Sequence, residues 1–291
     1  MKITSTTEDN ARCEVADIFR RYGKEYRCRN GMTKKQHKVM AAIERCRTSD
    51  CGYHVDQCDN CGFTESHFNS CRDRHCPKCQ AVSRHKWVEA RLKDLLPVPY
   101  FHVVFTLPHS LNGITQYNKR LIYNLLMSSS SDTLLTFGRD PKWLGGEIGF
   151  YGILHTWGQT LWLHPHVHYV VAGGALTENG RWIEPKYSDK FLFPIHALSE
   201  VFRGKFIEGL KAAYYNSKLC VPENLGELNR ADLFERWIDH LVSTDWVVYC
   251  KPPFSDPQKV VCYVGQYTHR VAISNRRIIG IPPCQDSCRM V

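Results

Sequence analysis

Two short cysteine pairs constrain this chain more than any other feature. Cys58-Asp59-Asn60-Cys61 and Cys76-Pro77-Lys78-Cys79 are separated by fourteen residues. That spacing suits a tetrahedral site in which each knuckle offers two thiolates to one ion. Gly62 follows the first pair, where a knuckle turn calls for positive φ, and Phe63 to Phe68 can form the hairpin that closes the loop. Of 14 cysteines, nine lie between Cys13 and Cys79. In a reducing compartment such density argues for metal ligation rather than disulfides. The expectation is a zinc-ribbon-like module with structural Zn2+ on Cys58, Cys61, Cys76 and Cys79; the alternative is a set of unliganded buried cysteines. Cys46, Cys51, His54, Cys71 and His75 are left over, and their spacings fit no familiar second site.

Around the knuckles the pattern is helical. Val39, Met40 and Ile43 recur at helical spacing behind a candidate cap, Thr33. After Cys79 a basic run with Arg84, His85, Lys86, Arg91 and Lys93, interleaved with Trp87 and Leu92, reads as an amphipathic helix ended by Pro97 and Pro99. The formal charge of +9 favours a polyanionic partner. No run of about 18 apolar residues is present, and the polar start, Met1 to Asn10, lacks a signal-peptide core. The expectation is a cytosolic protein without a membrane partner.

Three features beyond Pro99 carry the chemistry. Tyr100 to Leu107, bounded by Pro99 and Pro108, reads as a buried strand. Glu147 to Gln159 and His164 to Ala172 read as a hairpin. Strand side chains alternate, so His166 and His168 share a face while Val167 points into the other layer. Two imidazoles about 7 Å apart on one strand face can hold one cation. Gln159 is the favoured third ligand, with His155 and His164 as competitors. The last feature is Tyr263-Val264-Gly265-Gln266-Tyr267, behind a helix start at Asp256-Pro257. Residues at i and i+4 share a helix face, so both phenols project together. Alone, such a pair is ordinary packing. Thr115 to Met127 and Leu192 to Tyr215 read as helices, Trp246 to Tyr249 as a strand, and Ser128 to Asp132 as an exposed loop.

Together these motifs resemble the HUH endonucleases, specifically the rolling-circle transposases of the insertion sequence 91 family. Ser70 to Cys79 is similar to their zinc region, Phe105-Thr106-Leu107 to a strand end, His166-Val167-His168 to the HUH pair, and Tyr263 to Asn275 to the two-tyrosine motif. The resemblance implies an α+β chain: a zinc-binding module over 10–96, an HUH domain over 97–281 with helices packed on an antiparallel sheet, and an atypical tail over 282–291. It implies a bacterial, nucleoid-associated enzyme that nicks and rejoins single-stranded DNA. Tyr263 and Tyr267 would be nucleophiles, and Mg2+ or Mn2+ would be held by His166, His168 and Gln159. Arg270, Arg276, Arg277, Arg203 and Lys205 are candidate DNA contacts; a solvated surface role is equally open to them. Family members run well past the second tyrosine, so a truncated or frame-shifted copy is expected. Two other readings stand beside this one. The first is an inactive DNA-binding derivative that competes with a full-length transposase. The second is a zinc hydrolase, disfavoured because no acidic base adjoins the HxH pair.

Overall fold

The computed structural model describes residues 13–158, 161–186, 191–251, 256–268, 271, 273–278 and 280. The chain divides into two units, one made of the residues up to Trp87 with those after Thr268, the other of Val88–Thr268.

In the first unit α1 (Val15–Arg29) packs against α2 (Lys34–Arg45). Thr33 caps α2: its hydroxyl accepts from the Gln36 amide at 3.3 Å, and Gln36 Oε1 accepts from the Thr33 amide at 2.8 Å. Arg27 ion-pairs with Glu44 across the two helices. A hairpin follows, β1 (Tyr53–Gln57) against β2 (Thr64–Phe68), with every residue of both strands exposed. Gly62 takes φ 70° at its turn. The chain continues into α3 (Pro77–Leu92). The buried core is small: a cluster of Ala16, Ile43, Cys46, Cys76 and Cys79, with Phe19, Val39 and Cys71 against it, and Met40 and Ala42 buried on α2. Beyond Thr268 the chain returns to this unit. Asn275 Oδ1 accepts from the Val15 amide at 3.2 Å, and its Nδ2 donates to Glu14 at 3.3 Å.

The second unit contains β3 (Tyr100–Thr106), α4 (Asn112–Tyr117), α5 (Lys119–Arg139), β4 (Phe150–Trp157) and β5 (Leu163–Ala172). A two-residue ladder follows, β6 (Ala175–Leu176) with β7 (Trp182–Ile183). Then come α6 (Ile195–Tyr215), α7 (Ala231–Ser243), β8 (Val248–Lys251) and α8 (Pro257–Thr268). The main sheet runs β4-β5-β3-β8, antiparallel throughout.

Alternation divides the sheet into two faces. Phe101, Val103 and Phe105 of β3, with Val167, Tyr169 and Val171 of β5, join the large core beneath α5 and α6. Phe105 meets Phe202 of α6 edge-on at 5.0 Å, and Phe202 meets Trp246 at 5.3 Å. Each such ring, fully buried, contributes about 1.5–3 kcal/mol. Gly152 lies opposite Tyr169, where a Cβ would sit 2.6 Å from the ring; the absent side chain lets the phenol lie across β4. The other face carries His102, His155, His166 and His168 and is covered by α8. The expected helix cap holds, since the Gln258 amide donates to Asp256 Oδ1 at 2.9 Å.

The expected loop at Ser128 to Asp132 is instead the middle of α5. Serine reads as a loop former because it competes for backbone groups. Here the competition is satisfied within the helix: Ser130 Oγ bonds the Leu126 carbonyl at 2.5 Å and the Tyr169 hydroxyl at 2.8 Å. Ser129 and Ser130 are buried, and their small side chains bring α5 close to β5.

Candidate zinc centre and active site

The first unit gathers four thiols. The sulfur atoms of Cys46, Cys71, Cys76 and Cys79 all lie within 4.8 Å of one another. Cys46 caps the C-terminus of α2, Cys71 follows the hairpin, and Cys76 and Cys79 open α3. Cys46 Sγ and Cys71 Sγ each stand 3.7 Å from Cys79 Sγ. Tetrahedral Zn–S bonds of about 2.3 Å imply sulfur separations of about 3.8 Å, so the four sulfurs fit zinc. Burial pushes the Cys71 thiol up, and pushes Cys76 up to about 11. At Cys79 burial acts the same way but is outweighed by hydrogen bonds from the neighbouring thiols, which leave it lowered. A dication deprotonates such thiols outright.

The expected ligand set is thereby revised. Cys76 and Cys79 belong to the cluster, but Cys58 and Cys61 do not; they are exposed at the hairpin tip. Five paired residues per strand carry that tip about 17 Å from the hairpin base. Cys46 and Cys71 lie at the base, where the Arg47 amide bonds the Asn69 carbonyl at 3.2 Å. The 58–61 turn still has knuckle geometry: the Gly62 amide bonds the Cys58 carbonyl at 2.9 Å. Backbone amides of Cys61 and Asn60 lower the Cys58 thiol.

The second unit gathers imidazoles. His155, His166 and His168 are all buried and bring their ring nitrogens within 4.8 Å of one another. Register explains the set: His155 of β4 pairs with His166 of β5, and His168 lies two residues on along the same face. His155 Nδ1 is 3.2 Å from His166 Nε2, a separation two nitrogens on one cation would adopt. Each β5 histidine has an outer partner. His166 Nδ1 donates to the His164 carbonyl at 2.5 Å, which turns its Nε2 toward the cluster. His168 Nδ1 is 2.9 Å from His102 Nε2, and the two rings stack at 5.1 Å. Burial first, then the charge of Lys251, depress His102 to about 4. The donor set of His155, His166 and His168 could hold a divalent cation.

His155, which the sequence offers as a competitor for the third ligand, joins the cluster, while Gln159, the favoured third ligand, lies outside the described residues. His164 stacks on His109 at 5.2 Å, beside the cluster. His102 was missed, although it is the polar member of an otherwise apolar alternation in β3. Lys251, also missed, pairs with His102 across β3 and β8.

Helix α8 supplies the phenol. Tyr263 stands edge-on to His102 with ring centroids 5.4 Å apart, and the Lys251 ammonium is 5.1 Å from the Tyr263 ring centre. Val260, Val261 and Val264 are fully buried and anchor the helix. Tyr267 lies about one turn further along α8; its side chain is outside the described residues, as are Arg270, the Arg276 side chain and the tail 282–291. Arg277 is exposed in the turn Asn275–Arg277. Arg203 and Lys205 are half-buried on α6, the helix that covers the sheet face opposite the histidines.

Comparison with known proteins matches residues 18–107 to a transposase zinc-binding domain of the insertion sequence 91 type. Residues 149–286 match a family described as "Putative transposase". The "Putative transposase y4qJ" of Sinorhizobium fredii is 49% identical over 270 residues, covering 92% of this chain and 67% of y4qJ. The chain belongs to the insertion sequence 91-type transposases. A second member, the transposase for insertion sequence element IS801 of Pseudomonas savastanoi pv. phaseolicola, is 28% identical over 253 residues, covering 85% of this chain and 58% of its own. Among solved structures, the conjugative relaxase TrwC in complex with oriT DNA aligns with 58% of this transposase and 71% of its own chain. That alignment has 13% identity and a TM-score of 0.32, too faint to bear on activity. Within the transposase, the zinc-binding match takes in all four clustered cysteines, and the second match takes in His155, His166, His168 and Tyr263.

Proposed function

We propose that this transposase cuts and rejoins single-stranded DNA through tyrosine, with Tyr263 and Tyr267 as its nucleophiles. The observation that carries the reading is Tyr263, 5.4 Å from His102 on the sheet face that holds three clustered histidines. The phenol oxygen attacks a DNA phosphorus in line. The P–O3′ bond breaks, the 3′-hydroxyl leaves with a proton, and the 5′-phosphate stays esterified to the tyrosine. The ester retains the energy of the broken bond, so a 3′-hydroxyl from another end can reverse the attack and free the phenol. A divalent cation, Mg2+ or Mn2+, held by His155, His166 and His168, would polarise a non-bridging phosphate oxygen and orient the scissile bond. Imidazole donors favour Mn2+ over Mg2+ in affinity. Two tyrosines on one helix let one protein hold a cut end while the second phenol attacks another junction. Arg270, Arg276 and Arg277, after α8, would hold flanking phosphates. Arg203 and Lys205 would meet DNA only away from the chemistry. A buried centre under α8 calls for a strand that can bend and leave its duplex, hence single-stranded DNA.

The test is incubation with single-stranded oligonucleotides carrying candidate element ends, with Mg2+ or Mn2+, followed by denaturing electrophoresis. A protein–DNA adduct is expected, absent in Tyr263→Phe with Tyr267→Phe and in His166→Ala. An adduct that persists in the double tyrosine variant would overturn the reading.

A further inference from the structure

At the start of β5, three residues before His166, Leu163 lines a cavity of about 310 Å³ with Asn112, Gln116, Leu161 and Trp162. Trp162 is 77% exposed, more than any other large hydrophobic side chain among the described residues. An indole left in water beside a concave wall is informative, because this residue type is highly buried on average. Its position is built. Leu161 takes φ 65°, and the Gly158 amide donates to the Trp162 carbonyl at 3.1 Å. Asn112 of α4 donates to the Leu163 carbonyl at 2.9 Å, tying the helix wall to the start of β5. The cavity is therefore pre-formed, apolar on one side, with amides on the other.

We propose that this cavity is a nucleobase pocket, holding one base of the DNA strand led to the histidine centre; the proposal rests on the strand-cutting reading above. A base has two π-faces and polar edges. Trp162 would stack on a face, and the exposed Gln116 amide would offer a donor and an acceptor to an edge. The volume lies at the lower end of small-molecule sites, which suits one planar group rather than a peptide segment or a helix. Position points the same way. Leu163 precedes His166 by three residues on β5, about 10 Å by strand rise. At about 3.4 Å per stacked nucleotide, the held base lies within about three nucleotides of the scissile phosphate. Lys119 and Arg120 are exposed where α5 begins, three and four residues after Gln116, and supply charge for a phosphate flanking the held base. The net charge of +9 fits the same occupant.

The test uses the full chain with zinc bound, in a Tyr263→Phe, Tyr267→Phe background so that binding alone is read. Fluorescence anisotropy follows an element-end oligonucleotide series in which an abasic site is walked through the strand. Trp162→Ala is expected to weaken binding about tenfold, within the range for one stacked base. One abasic position should cost the Trp162 protein a similar factor and cost the Trp162→Ala protein nothing, with Trp162→Phe recovering part of the loss. Unchanged circular dichroism and zinc content would show that the exposed substitution leaves the fold intact. Equal binding by Trp162 and Trp162→Ala proteins, or an abasic profile the substitution does not alter, would overturn the pocket while leaving strand cutting untouched. Absence of single-strand binding by either protein would overturn both.

Discussion

The two units of this transposase solve the stability problem by different means. The second buries a continuous apolar core in which Phe101, Phe105, Phe193, Phe202, Phe206 and Phe234 are fully enclosed. Among its described residues the first buries eight, Ala16, Gly23, Met40, Ala42, Ile43, Cys46, Cys76 and Cys79, and three of them are cysteines. Its hairpin β1–β2 contributes no buried side chain at all. A core that small cannot outweigh chain entropy, so the four thiols and their zinc have to do it. In the second unit the clustered histidines sit on a sheet already held by the core beneath it. The lesson is that two side-chain clusters suited to metal can have opposite relations to folding: the cysteine cluster makes its fold, the histidine cluster is presented by one.

Chelation is the strongest way to break this contrast. Removing zinc, or replacing Cys46 or Cys71 by serine, should unfold the first unit, since structural zinc supplies on the order of 10 kcal/mol. Hydrogen exchange should lose protection in α1 and α2 while β3 and β5 keep theirs; protection retained in α1 would refute the zinc-made core. Phe105→Ala inverts the experiment. It should cost the second unit about 3–5 kcal/mol in denaturant unfolding, with zinc content unchanged. Tyr169→Phe should cost about 1 kcal/mol through its bonds to Ser130 and to the Met127 carbonyl.

Tyr169 also sharpens the contrast through pH. Burial raises its phenol to about 12 in the folded state. The group's contribution is thus fully present below the unfolded value of about 10, and is lost as pH rises from there toward 12. Tyr169→Phe should lack that part of the alkaline decline, as compared by thermal melts at pH 9 and pH 11. The smallest effect is expected at the exposed hairpin tip. Cys58→Ser with Cys61→Ser should shift stability by no more than about 0.5 kcal/mol and leave the four-cysteine zinc in place. Loss of that zinc in the double variant would restore the two-knuckle ligand set.

Much of the second unit was legible because its signals are local. The alternation His166-Val167-His168, the bounded strand at Tyr100 and the Asp256-Pro257 helix start each depend on neighbours a few residues away. What sequence could not reveal was decided by partners far along the chain. Cys46 and Cys58 look alike until the hairpin lifts one away from Cys76 and Cys79. His155 joins His166 and His168 only once the β4–β5 register is known. Ser128 to Asp132 reads as a loop until the Tyr169 hydroxyl is placed against Ser130. His102 was legible in principle, as the polar residue inside a buried strand, but its role depends on His168 lying beside it.

Asn275 has a consequence for the order of events during synthesis. It bonds Glu14 and Val15, so the first unit is built from both sides of the second, and residues 88–268 form an insertion within it. As the ribosome extends the chain, the helices α1 and α2 emerge early, yet this contact of their unit cannot form until the whole histidine-bearing sheet and α8 have followed. The amino-terminal unit is thus the first to be made and the last to be finished.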